Sequence, residues 1–254
     1  MEDWFTVEQI DQDTFAISEY EHWEETHCYL LLGSERALLI DTGLGVADIG
    51  AVVRGLTALP ITAITTHVHW DHIGGHRCFD HTAVHHLERD WLDGHFPLSP
   101  QAVRQSLMAK PCSFPEGFDP ERYQVFQGPP QAVFEDGYHF NLGSRVVTAV
   151  HTPGHSPGHC CFYEAQRKYL YAGDLLYQGC LDAFYPTTDP EQFFQSVQKV
   201  RRFDVQRVLP GHHRLDVPVG LIGAVEDGFR QLEQSGGLRQ GSGVFQFGTF
   251  QIHI

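Results

Sequence analysis

The sequence predicts an α/β fold, and three observations predict it. Short runs of branched and aromatic residues alternate with stretches whose apolar residues recur at helical spacing. A strand–turn–strand plan occurs twice, once in each half of the chain. The chain has 254 residues, of which 42% are hydrophobic and 12% aromatic, enough for a buried core and too apolar for a disordered segment.

The elements follow in order. TFAISEY (14–20), CYLLLG (28–33) and RALLID (36–41) read as strands. Residues 47–59 set Ile49, Val52, Val53 and Leu56 on one helical face. ITAITTH (61–67) is a further strand. Residues 94–130 break the alternation and hold half of the chain's 14 prolines, together with Phe96, Leu98, Leu107, Met108, Phe114, Phe118 and Phe126. This segment reads as an insertion of loops with a short helix near 100–109. It is either a packed excursion or an apolar lid, since long loops on a rigid scaffold often carry binding. Strands return at RVVTAVH (145–151), CCFYE (160–164), KYLYAGD (168–174) and RVLPGH (207–212). Between the last two lies a helix with Asp189 as N-cap, Pro190 at its first position and Glu191 in its first turn. A second late helix runs from Pro218 to Gly236-Gly237, and the tail from Gly243 to Ile254 suggests a hairpin around Gly248. The repeated plan is HCYLLLGSERALLIDTG from His27 and HCCFYEAQRKYLYAGD from His159, which end in Asp41 and Asp174.

The formal net charge of -15 argues against a nucleic-acid partner and against an anionic membrane surface, both of which are met by Lys and Arg clusters. The acidic start, MEDWFTVEQI, lacks a basic-then-apolar signal, and no apolar run is long enough to span a bilayer. The six cysteines, at 28, 78, 112, 160, 161 and 180, form no C-x-x-C pair. They read as free thiols of a cytoplasmic protein.

THVHWDH (66–72) places three histidines and an aspartate where a strand ends. Alternate residues of an extended segment point the same way, so His67 and His69 can converge on one ion. Asp71 and His72, in a loop past the bend, can reach another. Imidazole and carboxylate without thiolate suit zinc first, with iron or manganese as alternatives. Later strand ends supply more donors: His151, His155 and His159 in HTPGHSPGH, then Asp174, then His212 or His213. Spacing does not choose among the three histidines, or between the last two. The other histidines, His22, His27, His76, His81, His85, His86, His95, His139 and His253, have no partner spacing.

DTGLG, THVHWDHIGG, TPGHSPGH, AGD and LPGHH stand in the order found in the metallo-β-lactamase superfamily, which the sequence resembles along nearly its whole length. The resemblance implies a single domain, 1–254, folded as a four-layer αββα sandwich of two similar halves. It assigns His67, His69 and His155 to one metal and Asp71, His72 and His212 to a second. Asp174 bridges the two, and Asp41 orients a ligating imidazole from behind. Two Zn2+ per chain would make hydroxide available at neutral pH for attack on a carbonyl. Asp71 is then also a candidate catalytic group. Asp174 stands where the commonest zinc β-lactamases carry Cys, which counts against antibiotic hydrolysis. Only one helix and a hairpin follow His212, where glyoxalase II-like enzymes have a longer basic tail. The motifs look closest to a subgroup that includes an acyl-CoA thioesterase, so the implied substrate is a small acyl thioester. Tyr177 sits at the offset from Asp174 where acyl-homoserine lactonases carry a Tyr that stabilises the oxyanion, so a lactonase is the alternative. A mononuclear iron persulfide dioxygenase can use the same frame. The sequence leaves monomer and homo-oligomer open.

Overall fold

The structure is a computed structural model and describes residues 4–254; the first three residues of the acidic start lie outside the described residues. The chain forms two compact units. One runs up to Phe134 and takes in Asn141–Arg145; the other comprises Glu135–Phe140 and Val146–Ile254.

In the first unit the strands are β1 (Thr6–Asp11), β2 (Thr14–Ser18), β3 (His27–Leu32), β4 (Ala37–Ile40), β5 (Ile61–Ile64), β6 (Thr82–His85) and β7 (Ala132–Phe134). They form one sheet in that order. β1 to β4 pair antiparallel, and β4 to β7 pair parallel. The parallel step from β4 to β5 is reached through α1 (Ile49–Leu56), capped by Asp48, whose side chain accepts from Ala51 N. Ile49 and Val53 of α1 pack on Ile17, Cys28, Leu30, Leu39 and Ala63, which explains why β3 and β4 read as continuous apolar runs. A single helical turn, α2 (Trp70–Ile73), and a short α3 (Arg89–Leu92) follow β5 and β6. Asp71 and His72 therefore leave from a helical turn rather than from the loop expected of them. The insertion contains α4 (Pro100–Leu107), as its sequence predicts, capped by Ser99. Val103, Leu107 and Tyr123 of this segment form a small core with Trp4, Leu44, Val46 and Trp70.

In the second unit β8 (His139–Asn141), β9 (Val146–His151), β10 (Cys160–Glu164), β11 (Tyr169–Gly173) and β13 (Arg207–Pro210) form a sheet in the order β13-β11-β10-β9-β8. α5 (Pro190–Val200) leads to β13, which pairs parallel with β11. The repeated plan read from the sequence is thus repeated pairing. β3–β4 and β10–β11 are antiparallel hairpins, and each second strand gains a parallel neighbour through a helix. Asp189 caps α5 as predicted. α6 (Leu221–Ser235) starts later than its sequence suggests, because Pro218 closes a turn by accepting from Leu221 N; it ends at Gly236 with φ +74°. Phe229 of α6 stacks on Phe193 of α5 at 5.0 Å. The tail forms the expected hairpin, β14 (Val244–Phe247) and β15 (Phe250–His253), and β12 (Cys180–Asp182) joins β15 in parallel. Among the described residues no helix is long and apolar enough to cross a membrane. All six cysteines are free.

Candidate metal centre

In the first unit Asp41, His67, His69, Asp71 and His72 gather at the carboxyl ends of β4 and β5. Asp41 follows β4 with φ +62°, a strained backbone for a non-glycine residue that recurs at functional sites. Its buried carboxylate accepts from Thr66 N at 2.7 Å, from Thr66 Oγ1 at 2.8 Å and from His72 Nδ1 at 3.0 Å. Because the Thr66 hydroxyl gives its proton to Asp41, the His67 Nδ1–H donates to Thr66 Oγ1 at 2.9 Å. Both imidazoles thus have Nδ1 engaged by the protein, the arrangement in which a histidine binds a metal through Nε2. The rings of His69 and His72 lie 4.4 Å and 4.2 Å from that of His67. His72 Nε2 is 3.5 Å from Asp71 Oδ2.

The loops bearing these groups are zipped together. Thr42 N donates to the His72 carbonyl and Gly74 N to the Gly43 carbonyl, each at 2.8 Å. Gly45 has φ +73°, and a Cβ there would stand 2.3 Å from the Gly74 carbonyl oxygen, so DTGLG and WDHIGG need their glycines to approach. Two buried carboxylates support the loops from below. Glu88 accepts from Val68 N, midway between His67 and His69, at 2.5 Å. Glu19 accepts from Leu44 N and from Trp4 Nε1, each at 2.8 Å, and burial pushes its carboxyl up to about 7. Tyr123 of the insertion donates its hydroxyl to the Leu44 carbonyl at 2.6 Å. Sequence reading missed all three, because a hydrogen bond to a backbone group leaves no residue spacing to detect.

In the second unit His155, Asp174 and His212 meet. Asp174 follows β11, and its two oxygens face different rings: Oδ2 lies 3.4 Å from His155 Nε2 and Oδ1 3.2 Å from His212 Nε2. A Cβ on Gly211 would come within 2.8 Å of Asp174 Oδ1, so LPGHH needs glycine there. His155 Nδ1 donates to the Asp182 carbonyl at 3.0 Å, which again makes Nε2 the lone-pair nitrogen. The choices left open by spacing are narrowed here. His159 Nε2 accepts from Asp174 N at 3.1 Å and its Nδ1 donates to the Thr152 carbonyl, so the protein consumes both nitrogens. His151 Nε2 donates to the Pro157 carbonyl. His213, at φ +65°, turns to the Tyr177 ring. Tyr177 is buried, its ring 5.4 Å from that of His212, and its hydroxyl donates to the Cys180 carbonyl.

The donor set fits divalent cations. Ligand atoms around one zinc at bonds of about 2.0–2.1 Å stand roughly 3.3–3.4 Å apart in tetrahedral geometry. The nitrogen–oxygen separations within each cluster, 3.2–3.5 Å, match that spacing. Imidazoles and carboxylates buried at strand ends in a mixed α/β scaffold thus form a candidate metal centre.

The chain matches the metallo-beta-lactamase superfamily over residues 23–212. It is 32% identical over 230 residues to the acyl-coenzyme A thioesterase MBLAC2 of Bos taurus, covering 83% of this chain and 81% of that one. It is 30% identical to an atrochrysone carboxyl ACP thioesterase of Aspergillus fumigatus, over 74% of this chain and 50% of that one. A solved metallo-beta-lactamase from Pontibacter korlensis superposes with a TM-score of 0.64 at 17% identity, covering 89% and 99% of the two chains. The chain belongs to the metallo-β-lactamase superfamily, has its fold, and is a hydrolytic enzyme.

Proposed function

We propose that this enzyme is a dinuclear zinc hydrolase of acyl thioesters, an acyl-CoA or a related small acyl thioester. In this reading the two units act as one domain, 1–254. His67, His69 and His155 hold one ion; Asp71, His72 and His212 hold the other; Asp174 bridges them. The observation that carries the proposal is the spacing of imidazole and carboxylate ligand atoms within each cluster, 3.2–3.5 Å, which is that of donors sharing one divalent cation. The printed names of the bovine and fungal relatives support a thioester.

Zinc bound there would polarise the acyl carbonyl and bring the pKa of bound water down to about 7. The protein does the rest. Asp71 orients the attacking water and takes its proton. Asp41 and Thr66 keep the imidazoles from turning. The leaving thiolate, with a conjugate-acid pKa of about 8.5, departs without a general acid, so a thioester asks for no further donor. Six free thiols support a reducing compartment such as the cytoplasm.

One observation favours the lactone reading. Tyr177 lies against His212, and its hydroxyl would reach a substrate oxyanion by exchanging its bond to the Cys180 carbonyl. Rates on an acyl-CoA and an acyl-homoserine lactone, measured side by side, test the proposal. The acyl-CoA is expected to give the higher kcat/KM by at least tenfold; the reverse order overturns the thioester assignment. Tyr177→Phe is expected to change kcat/KM for the acyl-CoA by less than fivefold, and a larger loss would place that hydroxyl in the mechanism.

A further inference from the structure

We propose that Cys180, Asp182 and His253 form an additional binding site for a zinc-class divalent cation, separate from the histidine–aspartate clusters above. The site follows from strand geometry. Side chains alternate across a strand, so Cys180 and Asp182, two positions apart on β12, share a face. β15 pairs with β12 in parallel and sets His253 opposite Asp182. Leu181 and Ile252, the alternate residues, enter the apolar core instead. Thiol, carboxylate and imidazole are thereby brought together from positions 71 residues apart in the chain, with their ligand atoms within 4.8 Å of one another.

The two protonated donors converge on one acceptor. His253 Nδ1 donates to Asp182 Oδ1 at 2.9 Å, and the Cys180 thiol points at the same oxygen from 3.9 Å. Ligand atoms on a tetrahedral zinc stand roughly 3.3–3.8 Å apart for bonds of about 2.0–2.3 Å, so small side-chain rotations suffice. Binding releases the thiol proton to solvent and moves the imidazole proton to Nε2, giving a thiolate, a carboxylate and a neutral imidazole. This set matches zinc, cobalt or a similar borderline-soft cation, with the fourth position left to water or an outside ligand. Without a cation the thiol stays protonated, since burial and the Asp182 carboxylate push it up to about 11.

The surroundings fit the role. The Asp182 and His253 side chains are each 26% exposed, which leaves an entry route. Phe184 stacks on the His253 ring at 4.2 Å and 10°, holding its plane. The Asp182 carbonyl accepts from His155 Nδ1, so a cation held by Asp182 sits one residue's backbone away from a candidate ligand of the proposed dinuclear centre.

Cobalt titration of the metal-free chain tests the proposal, because the histidine–aspartate clusters contain no thiolate. The expected result is a thiolate-to-cobalt charge-transfer band in the near ultraviolet and one more equivalent bound than in Cys180→Ser. His253→Gln should weaken cobalt binding at the thiolate at least tenfold, and Cys112→Ser, which changes another half-buried thiol, should keep the band. In the wild type, zinc should also protect Cys180 from alkylation. No band in the wild type, a band undiminished in Cys180→Ser, or equal alkylation of Cys180 with and without zinc overturns it. Failure of the dinuclear reading would look different: Cys180→Ser would then bind no cobalt at all.

Discussion

At the scale of single residues, hydrogen bonds choose which histidines can serve. Asp41 shows how much one carboxylate does. It accepts from both Thr66 donors and from His72, and through Thr66 it sets the tautomer of His67. Asn tolerates the left-handed backbone at this position but offers one acceptor where three donors converge. Asp41→Asn should therefore fold normally and bind zinc about 10–100-fold more weakly, as measured by competition with a chromophoric chelator. His76 provides a second test. Its Nδ1 lies 2.7 Å from Thr42 Oγ1, and full burial lowers its pKa from the usual 6.5 to about 3. Between those values only the unfolded chain takes up the proton, so the stability this neutral ring contributes is complete above pH 6.5 and is lost as the pH falls toward 3. From pH 6.5 to 5 the wild type should lose about 2 kcal/mol more than His76→Leu in urea unfolding. Equal losses would show that folding leaves the His76 pKa unshifted.

At the scale of elements, strand ends and helix starts hold the donors in place. The TPGHSPGH turn is docked on α5: Asp189 N donates to the Gly154 carbonyl at 2.7 Å, and the Asp189 side chain caps the helix at Gln192 N. Gly154 has φ +133°, and a Cβ there would stand 2.2 Å from Phe193 N. Asp189→Ala should cost about 1 kcal/mol and leave zinc binding intact. Gly154→Ala should cost about 1–3 kcal/mol and also weaken zinc binding, because His155 moves with the turn. Thermal unfolding and metal analysis of the two variants separate these outcomes. The elements legible in the sequence were those apolar, periodic or capped enough to carry a pattern: β2, β3, β4, β5, β9, β10, β11, β13, α1, α4, α5, α6 and the β14–β15 hairpin. β1 escaped notice because its burial is low and its sequence, TVEQID, polar. β12 has three residues and α2 four, too few to show a period. The donors past β5 were legible because His67, His69, Asp71 and His72 crowd into one short stretch just beyond an apolar strand. The supporting roles of Glu88, His159 and the Asp182 carbonyl were not, because each acts on a group far off in the chain. The pairing of His253 with Asp182 was hidden for the same reason.

At the scale of the whole molecule, each unit repeats one construction: a hairpin, a helix and a parallel strand, with an aspartate just past the hairpin's second strand. In the first unit that aspartate, Asp41, accepts from the His72 imidazole; in the second, Asp174 faces two imidazoles. The superfamily relationship and the hydrolytic class follow from fold and sequence, and the thioester is the substrate proposed for it. The most direct test of the central claim is zinc titration of the chelator-stripped enzyme while acyl-CoA hydrolysis is followed. The account predicts no turnover without metal, a maximum at two zinc ions per chain when the titration is run on Cys180→Ser, and no recovery in Asp174→Asn. Full hydrolysis of the acyl-CoA by the metal-free chain would contradict it.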